Sequence, residues 1–486
     1  MRSAGRPFLC ARGALALLAA ALACGAALAQ QTAPPDLPLR FQPHGAAPDQ
    51  KKKPRARSLP ALQPYKGAQR LGLRGGAVPL RSAAAPGPTI AALPTPPPRR
   101  RIPPEENPYD PLGERIGNLR LTPYLEEDVG WSSNPASVSG AAKASAFETT
   151  EIGAALQSNW SRNDLHGQFK AGYSDYFAVH FASGPYGSGT LDSRYDVTRD
   201  LSFDAEARFN LTQEPLSSLG FAGTPANATS SLTSVVAYGA TIGGTQKFGA
   251  LALGLHGAYD HLSYEGADAT GAENLSADDY NAFGLKARAS YRVSEAISPF
   301  LELGFDARRY VGGIDSAGYA ANSNGVAALI GLTLAYSQKL TGEASLGYGE
   351  RVYQDPRLPN ATAPLINASL IWSATALTSV TLKAQSAIAD AVIAGASGDI
   401  QRGYTLDISH ALTRQIALGV SAGYATDAYV GISQRDSTTT FGLKGEYHLS
   451  REVVLKASAT RQQFVSNVPN SNSVSEVFLM GVRLQR

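Results

Sequence analysis

Along Leu201–Thr212 the chain alternates strictly between apolar and polar residues. Leu201, Phe203, Ala205, Ala207, Phe209 and Leu211 are apolar, and Ser202, Asp204, Glu206, Arg208, Asn210 and Thr212 between them are polar or charged. Successive side chains on a strand point to opposite faces, so this stretch predicts a β-strand with one greasy face and one wet face. A tilted strand of about ten such residues crosses the hydrocarbon core of a bilayer. The same period of two recurs at Leu251/Leu253/Leu255, Phe283/Leu285/Ala287/Ala289/Tyr291, Ile330/Leu332/Leu334/Tyr336 and Ile416/Leu418/Val420/Ala422/Tyr424.

From residue 118 onward about eighteen ribbons of this kind can be marked. The first nine span 119–130, 147–160, 165–176, 190–198, 201–212, 234–246, 250–261, 280–292 and 299–309. The rest span 326–336, 341–350, 365–373, 378–387, 402–410, 415–425, 438–448, 452–463 and 474–484. Alternation is weak in the first, fourth and thirteenth. The breaks between ribbons alternate in length. Ser161–Asp164, Thr198–Asp200, Lys247–Gly249, Ser337–Leu340 and Leu449–Glu452 are short, whereas 177–189, 213–233, 262–279, 351–364 and 388–401 are among the long ones. Short turns at one rim and long loops at the other are the pattern of an outer-membrane barrel, and an even strand count puts both termini on the short-turn, periplasmic side.

Aromatic residues on the apolar face sit at ribbon ends. Trp160, Tyr291, Tyr336, Trp372 and Tyr447 come just before short turns, and Tyr173, Tyr259, Tyr348 and Tyr424 just before long loops. Amphipathic rings at two levels predict girdles at the two headgroup layers. A soluble β-sandwich also carries edge tyrosines, but it needs no outward apolar band and rarely holds so many strands in one domain. The expected fold is therefore all-β: a transmembrane antiparallel up-and-down β-barrel of about eighteen strands with a disordered N-terminal tail.

Composition sharpens the boundaries. The chain has 486 residues, 43% hydrophobic and 17% charged, and its longest apolar run lies in the first thirty. Residues 1–29 resemble a secretory signal peptide: Arg2, Arg6 and Arg12 precede the apolar Gly13–Ala23, and Ala27-Leu28-Ala29 offers a cleavage site. A membrane anchor is the alternative, against which the short apolar stretch argues. Both cysteines, Cys10 and Cys24, fall inside that segment, which excludes a disulfide scaffold or a cysteine site in the remainder. Residues 30–117 are rich in proline and carry Lys51-Lys52-Lys53 and Arg99-Arg100-Arg101, with no period of 2 or 3.6. They read as a basic, disordered periplasmic tail, and residues 118–486 as the barrel. Net charge is roughly +8 in the tail and roughly −8 in the barrel. A basic tail can touch peptidoglycan or anionic headgroups, or be a solvated linker.

Two stretches resemble a known family. Leu119-Arg-Leu-Thr-Pro-Tyr-Leu with Asp128 and Asn134 is similar to the opening strand of "putative β-barrel porin 2" outer-membrane proteins, and Gly347-Tyr-Gly-Glu-Arg-Val-Tyr-Gln-Asp-Pro356 to a second stretch common there. The resemblance implies a Gram-negative outer-membrane protein, often linked to exopolysaccharide secretion. Such barrels usually close with a terminal aromatic; this chain departs from that, ending Phe478-Leu-Met-Gly-Val-Arg-Leu-Gln-Arg486.

Little in the chain points to chemistry. His256 and His261 are five apart and fall on opposite faces of a strand, so they do not form a metal pair. No phosphate-loop pattern occurs. No catalytic residue, metal or cofactor is expected, and no enzyme activity. The wet face offers candidate pore-lining residues: Asp204, Glu206 and Arg208 on the fifth ribbon, Lys286, Arg288 and Arg292 on the eighth, and Glu302, Asp306 and Arg308 on the ninth. Opposite charges on adjacent strands can pair across the wall, but a barrel of about eighteen strands is wide enough for an aqueous lumen. The expected function is a passive pore, either a general porin or the outlet of an exopolysaccharide secretion system. The alternative is a structural, surface-binding barrel that anchors external loops and a wall-binding tail without transport. Expected partners are outer-membrane lipid and lipopolysaccharide, the barrel-insertion machinery, and polysaccharide export components or peptidoglycan; nucleic acid is not among them.

Overall fold

The computed structural model describes residues 109–140, 142–214, 232–265, 275–336, 339–391, 393 and 395–486. The expected signal segment and nearly all of the expected tail lie outside the described residues. A three-residue strand, β1 (Glu114–Ile116), comes first. It is followed by β2 (Leu119–Ser132), β3 (Ser145–Ser158), β4 (Asp164–Tyr176), β5 (Gly184–Asp196), β6 (Leu201–Glu214) and β7 (Thr233–Phe248). Then come β8 (Leu251–Glu265), β9 (Tyr280–Tyr291), β10 (Ile297–Tyr310), β11 (Ser323–Tyr336), β12 (Leu340–Tyr353) and β13 (Ala361–Ser373). The wall is completed by β14 (Thr378–Ala389), β15 (Gly398–Ala411), β16 (Ile416–Val430), β17 (Arg435–His448), β18 (Val453–Ser466) and β19 (Ser473–Gln485).

Each of β2–β19 pairs antiparallel with its successor, and β19 returns to β2 from Val477↔Ser132 to Gln485↔Tyr124. The eighteen strands β2–β19 thus form a closed barrel, one for each ribbon read from the sequence. Side-chain exposure follows the period of two. On β10, Leu301, Leu303 and Phe305 are exposed while Glu302 and Gly304 between them are buried. The exposed apolar face is the outside of the barrel, where burial from water requires lipid. Phe203, Leu253 and Leu418 are exposed there, and Leu332, half-buried, shares that face. Tyr173, Tyr259, Tyr291, Tyr336, Tyr348, Trp372, Tyr424 and Tyr447 are all exposed, as girdle residues must be.

Several strands run past the ribbons on the long-loop side. β11 begins at Ser323 rather than residue 326, and β12 ends at Tyr353 rather than 350. Beyond the apolar band the backbone ladder goes on, Ser323↔Tyr353 to Val326↔Glu350, but the outward residues are mixed, with Asn324 and Glu350 polar beside Val326 and Val352, and the alternation loses its contrast.

Two irregularities shape the interior. β19 stops opposite Tyr124, and β1 takes over the same edge of β2 below it, pairing Glu114↔Leu121 to Ile116↔Leu119. The Arg486 Nε atom lies 2.5 Å from Glu114 Oε1 and ties the two ends together. β1 falls within the last residues of the segment read as tail. Just before it the chain lies on the inner face: Arg120, an inward side chain, donates to the Pro111 carbonyl. A Cβ on Gly113 would also strike the Arg120 and Thr122 side chains.

The second irregularity is at β13 and β14. Their ladder runs only from Ala368↔Ala384 to Ser373↔Ser379, whereas β12–β13 continues up to Arg351↔Ala361. The Ile366 N–H faces β14 and donates to Ser386 Oγ at 2.5 Å. Residues two apart face the same edge, so the Pro364 nitrogen also faces β14, and it carries no hydrogen to donate. Above Ala384, β14 parts from β13 while staying paired with β15 up to Ala389↔Asp399, and it runs inside β12 and β13. A Cβ on the inward Gly349 of β12 would meet both Leu365 and Ile388, and one on Gly398 would meet Tyr353 Oη.

Candidate pore lining and constriction

The inner face between β6 and β12 carries most of the charged residues expected to line a pore, and they are paired. Asp204 lies 3.5 Å from His256 Nε2. Arg208 donates to Asp260 Oδ1 from Nε and Nη2 at 2.8 and 2.5 Å and from Nη1 to Thr241 and Glu206 at 2.8 and 3.3 Å. Lys286 lies 3.2 Å from Glu302. Arg288 donates to both Glu343 oxygens at 2.9 and 2.6 Å, lies 3.6 Å from Glu302, and stacks on Phe300 at 3.5 Å. Asp306 pairs with Arg351, and Arg308 lies 2.9 Å from Asp390 Oδ2. Arg292 stands apart at the short-turn rim, exposed, donating to the Gly249 carbonyl at 2.9 Å.

The register explains these pairs. Arg288 sits directly opposite Glu302 across β9–β10, so opposite charges meet on one face of neighbouring strands. At the short-turn end this wall encloses a cavity of about 290 Å³ lined by Asp204, His256, Arg288, Arg292 and Glu343 among others.

A further buried network closes the barrel seam and was not found from the sequence. Glu126 on β2, fully buried, accepts from Arg483 Nε on β19 at 2.6 Å and pairs with Lys456 on β18. Next to it Glu151, also buried, accepts from the Tyr124 and Tyr186 hydroxyls at 2.8 and 3.1 Å. The signal was the weak alternation of the first ribbon, where Glu126, Glu127 and Asp128 run together.

The long-loop end is narrowed from within. Tyr280, Tyr310 and Tyr353 form a buried apolar cluster with Ala321 and Leu358 from the loops, and Ile388 of β14 packs on it. A second cluster joins Phe147, Tyr176 and Leu479 to Val179, Ala182 and Leu232. Where β14 turns inward, Arg308 holds it across the interior: Nη2 donates to the Ile388 carbonyl at 2.8 Å, and Nη1 faces Asp390. The loops are latched to one another outside the membrane. Ser316 donates its N–H and hydroxyl to the buried Asp278 at 3.0 and 2.7 Å. Burial pushes the Asp278 carboxyl up to about 6 although both Ser316 bonds oppose the shift. Arg357 binds Asp355, holding its carboxyl well below the usual range, and stacks on Tyr319 at 4.4 Å.

Lower down, on β13–β15, the inner face is open to solvent. Ser369, Lys383, Gln385, Thr405 and Asp407 share inward parity, and all are exposed. They too were missed: the thirteenth ribbon alternates weakly, and single charges drew no attention beside the runs on the fifth, eighth and ninth. Among the described residues no group of three or more His, Cys, Asp or Glu could hold a metal ion, and no helix is long and apolar enough to cross a membrane.

No curated protein matches the chain. Solved structures that match include OccAB3 of Acinetobacter baumannii, at 9% identity over 76% of this chain and 100% of that one, with a TM-score of 0.35. The outer membrane protein OpdK of Pseudomonas aeruginosa matches at 11% identity over 75% and 99%, with a TM-score of 0.38. The copper transporter OprC matches at 11% identity over 77% and 81%, with a TM-score of 0.39. Over residues 107–486 the chain matches the family model described as putative beta-barrel porin 2. With its closed barrel and outward apolar band, the chain therefore belongs to this family of outer-membrane, porin-like β-barrels, which are typically non-enzymatic.

Proposed function

We propose that this porin-like barrel is a passive conduit for polar solutes, constricted at the long-loop end by β14 and the loops around it. One observation carries the reading. The inner-face residues Ser369, Lys383, Thr405 and Asp407 are exposed at mid-strand, as the lining of an aqueous passage requires and a solid core does not. The hydroxyl-bearing surface suits hydrogen-bonding, sugar-like solutes, which is consistent with the exopolysaccharide outlet implied by the family resemblance as well as with a general porin. In this reading both termini are periplasmic, the basic tail reaches peptidoglycan or anionic headgroups, and the nine charges on β6, β9, β10 and the turn after β9 belong to the lumen wall.

The rival is a barrel that only anchors its loops; the buried apolar clusters at the long-loop end favour it. Swelling of proteoliposomes in neutral sugars of increasing size separates the two. The conduit admits small sugars and rejects large ones, and uptake of long oligosaccharides would favour the polysaccharide outlet over the general porin. Proteoliposomes that exclude even the smallest sugar would overturn the proposal.

A further inference from the structure

Apart from Arg292 at the short-turn rim, the candidate charges between β6 and β12 are paired, whereas Lys383 and Asp407 farther round the wall are not, among the described residues. Between β6 and β12 each carboxylate and guanidinium of the networks described above has an ion-pair partner, except that Asp204 faces the imidazole of His256; Lys286 is further fixed by burial and Arg288 by its two bonds to Glu343. A matched pair presents a dipole, whose field falls off faster than that of a single charge, and a side chain held by three acceptors cannot turn to a passing ion. On β14 and β15 the situation is reversed. Lys383 faces Ser369 on one side and Thr405 on the other, and Asp407 faces Thr381 and Ser421. Both are exposed, and neither has an ion-pair partner among the described residues. Directly above them, β14 turns inward toward Arg308, so solute in the lumen passes close by them before the constriction.

We infer that the permeation path runs along β13–β15 and that Lys383 and Asp407 select charged solutes there, while the ion pairs of β6–β12 are wall structure. The inference rests on the conduit reading. It moves ion preference away from Arg288 and Glu302, whose charges are neutralised in place. Charges inside a wall of low dielectric are focused along the passage, and a single exposed charge within about 8 Å of the path acts on a passing ion at physiological salt.

The test uses the full-length protein with Cys10 and Cys24 replaced by Ser, which leaves no other cysteine in the chain. Single variants Lys383→Cys, Asp407→Cys and Glu302→Cys are exposed to a water-soluble thiol reagent in proteoliposomes. Positions 383 and 407 should react at least tenfold faster than 302. In parallel, reversal potentials in a salt gradient are measured for Lys383→Glu, Asp407→Lys and Arg288→Gln. The first should shift toward cations, the second toward anions, and the third should stay near the unmodified protein. Equal or inverted labelling, or a shift only in Arg288→Gln, would overturn the inference while leaving the conduit intact. Fast labelling at 383 and 407 in a protein without conductance would instead sink the conduit reading and, with it, any selective role for the two residues.

Discussion

If Arg308 and Asp390 hold β14 inside the barrel, removing the carboxylate should free that strand end without unfolding the wall. The two side chains are 4% and 5% exposed, with Nη1 2.9 Å from Oδ2. Breaking a buried pair by deleting one partner costs about 3–5 kcal/mol, because the remaining charge stays buried and uncompensated. Here Arg308 keeps the Ile388 carbonyl at 2.8 Å and Asp306 at 3.9 Å, so the lower end, about 3 kcal/mol, is the reasoned value. That energy adds to the ladder from Gln385↔Gly403 to Ala389↔Asp399 in opposing the opening of residues 385–391, while the ladders of β15–β19 do not depend on it. Asp390→Ala should therefore speed amide exchange in this segment about a hundredfold, each 1.4 kcal/mol being tenfold. Exchange in β16 and β17 should be unchanged. The double variant Arg308→Met/Asp390→Leu, which removes both charges, should recover most of the protection. Hydrogen exchange followed by mass spectrometry in detergent micelles reads each segment. Exchange in 385–391 within about threefold of the parent, or a double variant as open as the single one, would refute the clamp.

At the seam, Glu126→Ala leaves Arg483 and Lys456 buried without their carboxylate and should destabilise the barrel by about 3–5 kcal/mol in urea unfolding from lipid vesicles. Leu332→Arg, on the lipid-facing side of β11, should cost about 2–4 kcal/mol in the same assay if it meets the bilayer midplane. The loop latch should respond to pH. The Asp278 carboxyl is raised to about 6 by burial, so its contribution to stability is complete below the ordinary carboxylate range and is lost as pH rises through about 6. Exchange at 315–319, corrected for intrinsic rate, should accelerate between pH 5 and pH 7.5, and Asp278→Asn should flatten that dependence.

The barrel was legible because lipid enforces it: outward positions on every spanning strand must be apolar, and Leu301–Phe305 or Ile416–Tyr424 declare this with no help from tertiary context. The girdle tyrosines were legible for the same reason. What escaped was whatever the lipid does not touch. Ser323–Gly325 extend β11 beyond the apolar band, where pairing needs only backbone. Glu126 serves the inner seam, so it interrupts no lipid-facing pattern, while its neighbour Glu127 makes the ribbon look weak. The inward turn of β14 was written in two places, the poor alternation of 378–387 and Pro364 one residue before the twelfth ribbon. Neither has meaning until Ile366 is seen bonding a side chain instead of a strand. The wet-face parity sets the nine charged candidates opposite the apolar side of their ribbons. Their partners Asp260, Glu343, Arg351 and Asp390 come from other strands or from beyond a strand end, and no periodicity relates them.

The central claim is that water and small solutes cross this barrel beside β13–β15. Current through single molecules of the full-length protein in a planar bilayer tests it most directly. An open passage gives discrete channel steps whose size grows with salt concentration and changes when Lys383 or Asp407 is replaced. A correctly folded, heat-modifiable barrel that carries no current at any salt concentration would contradict it.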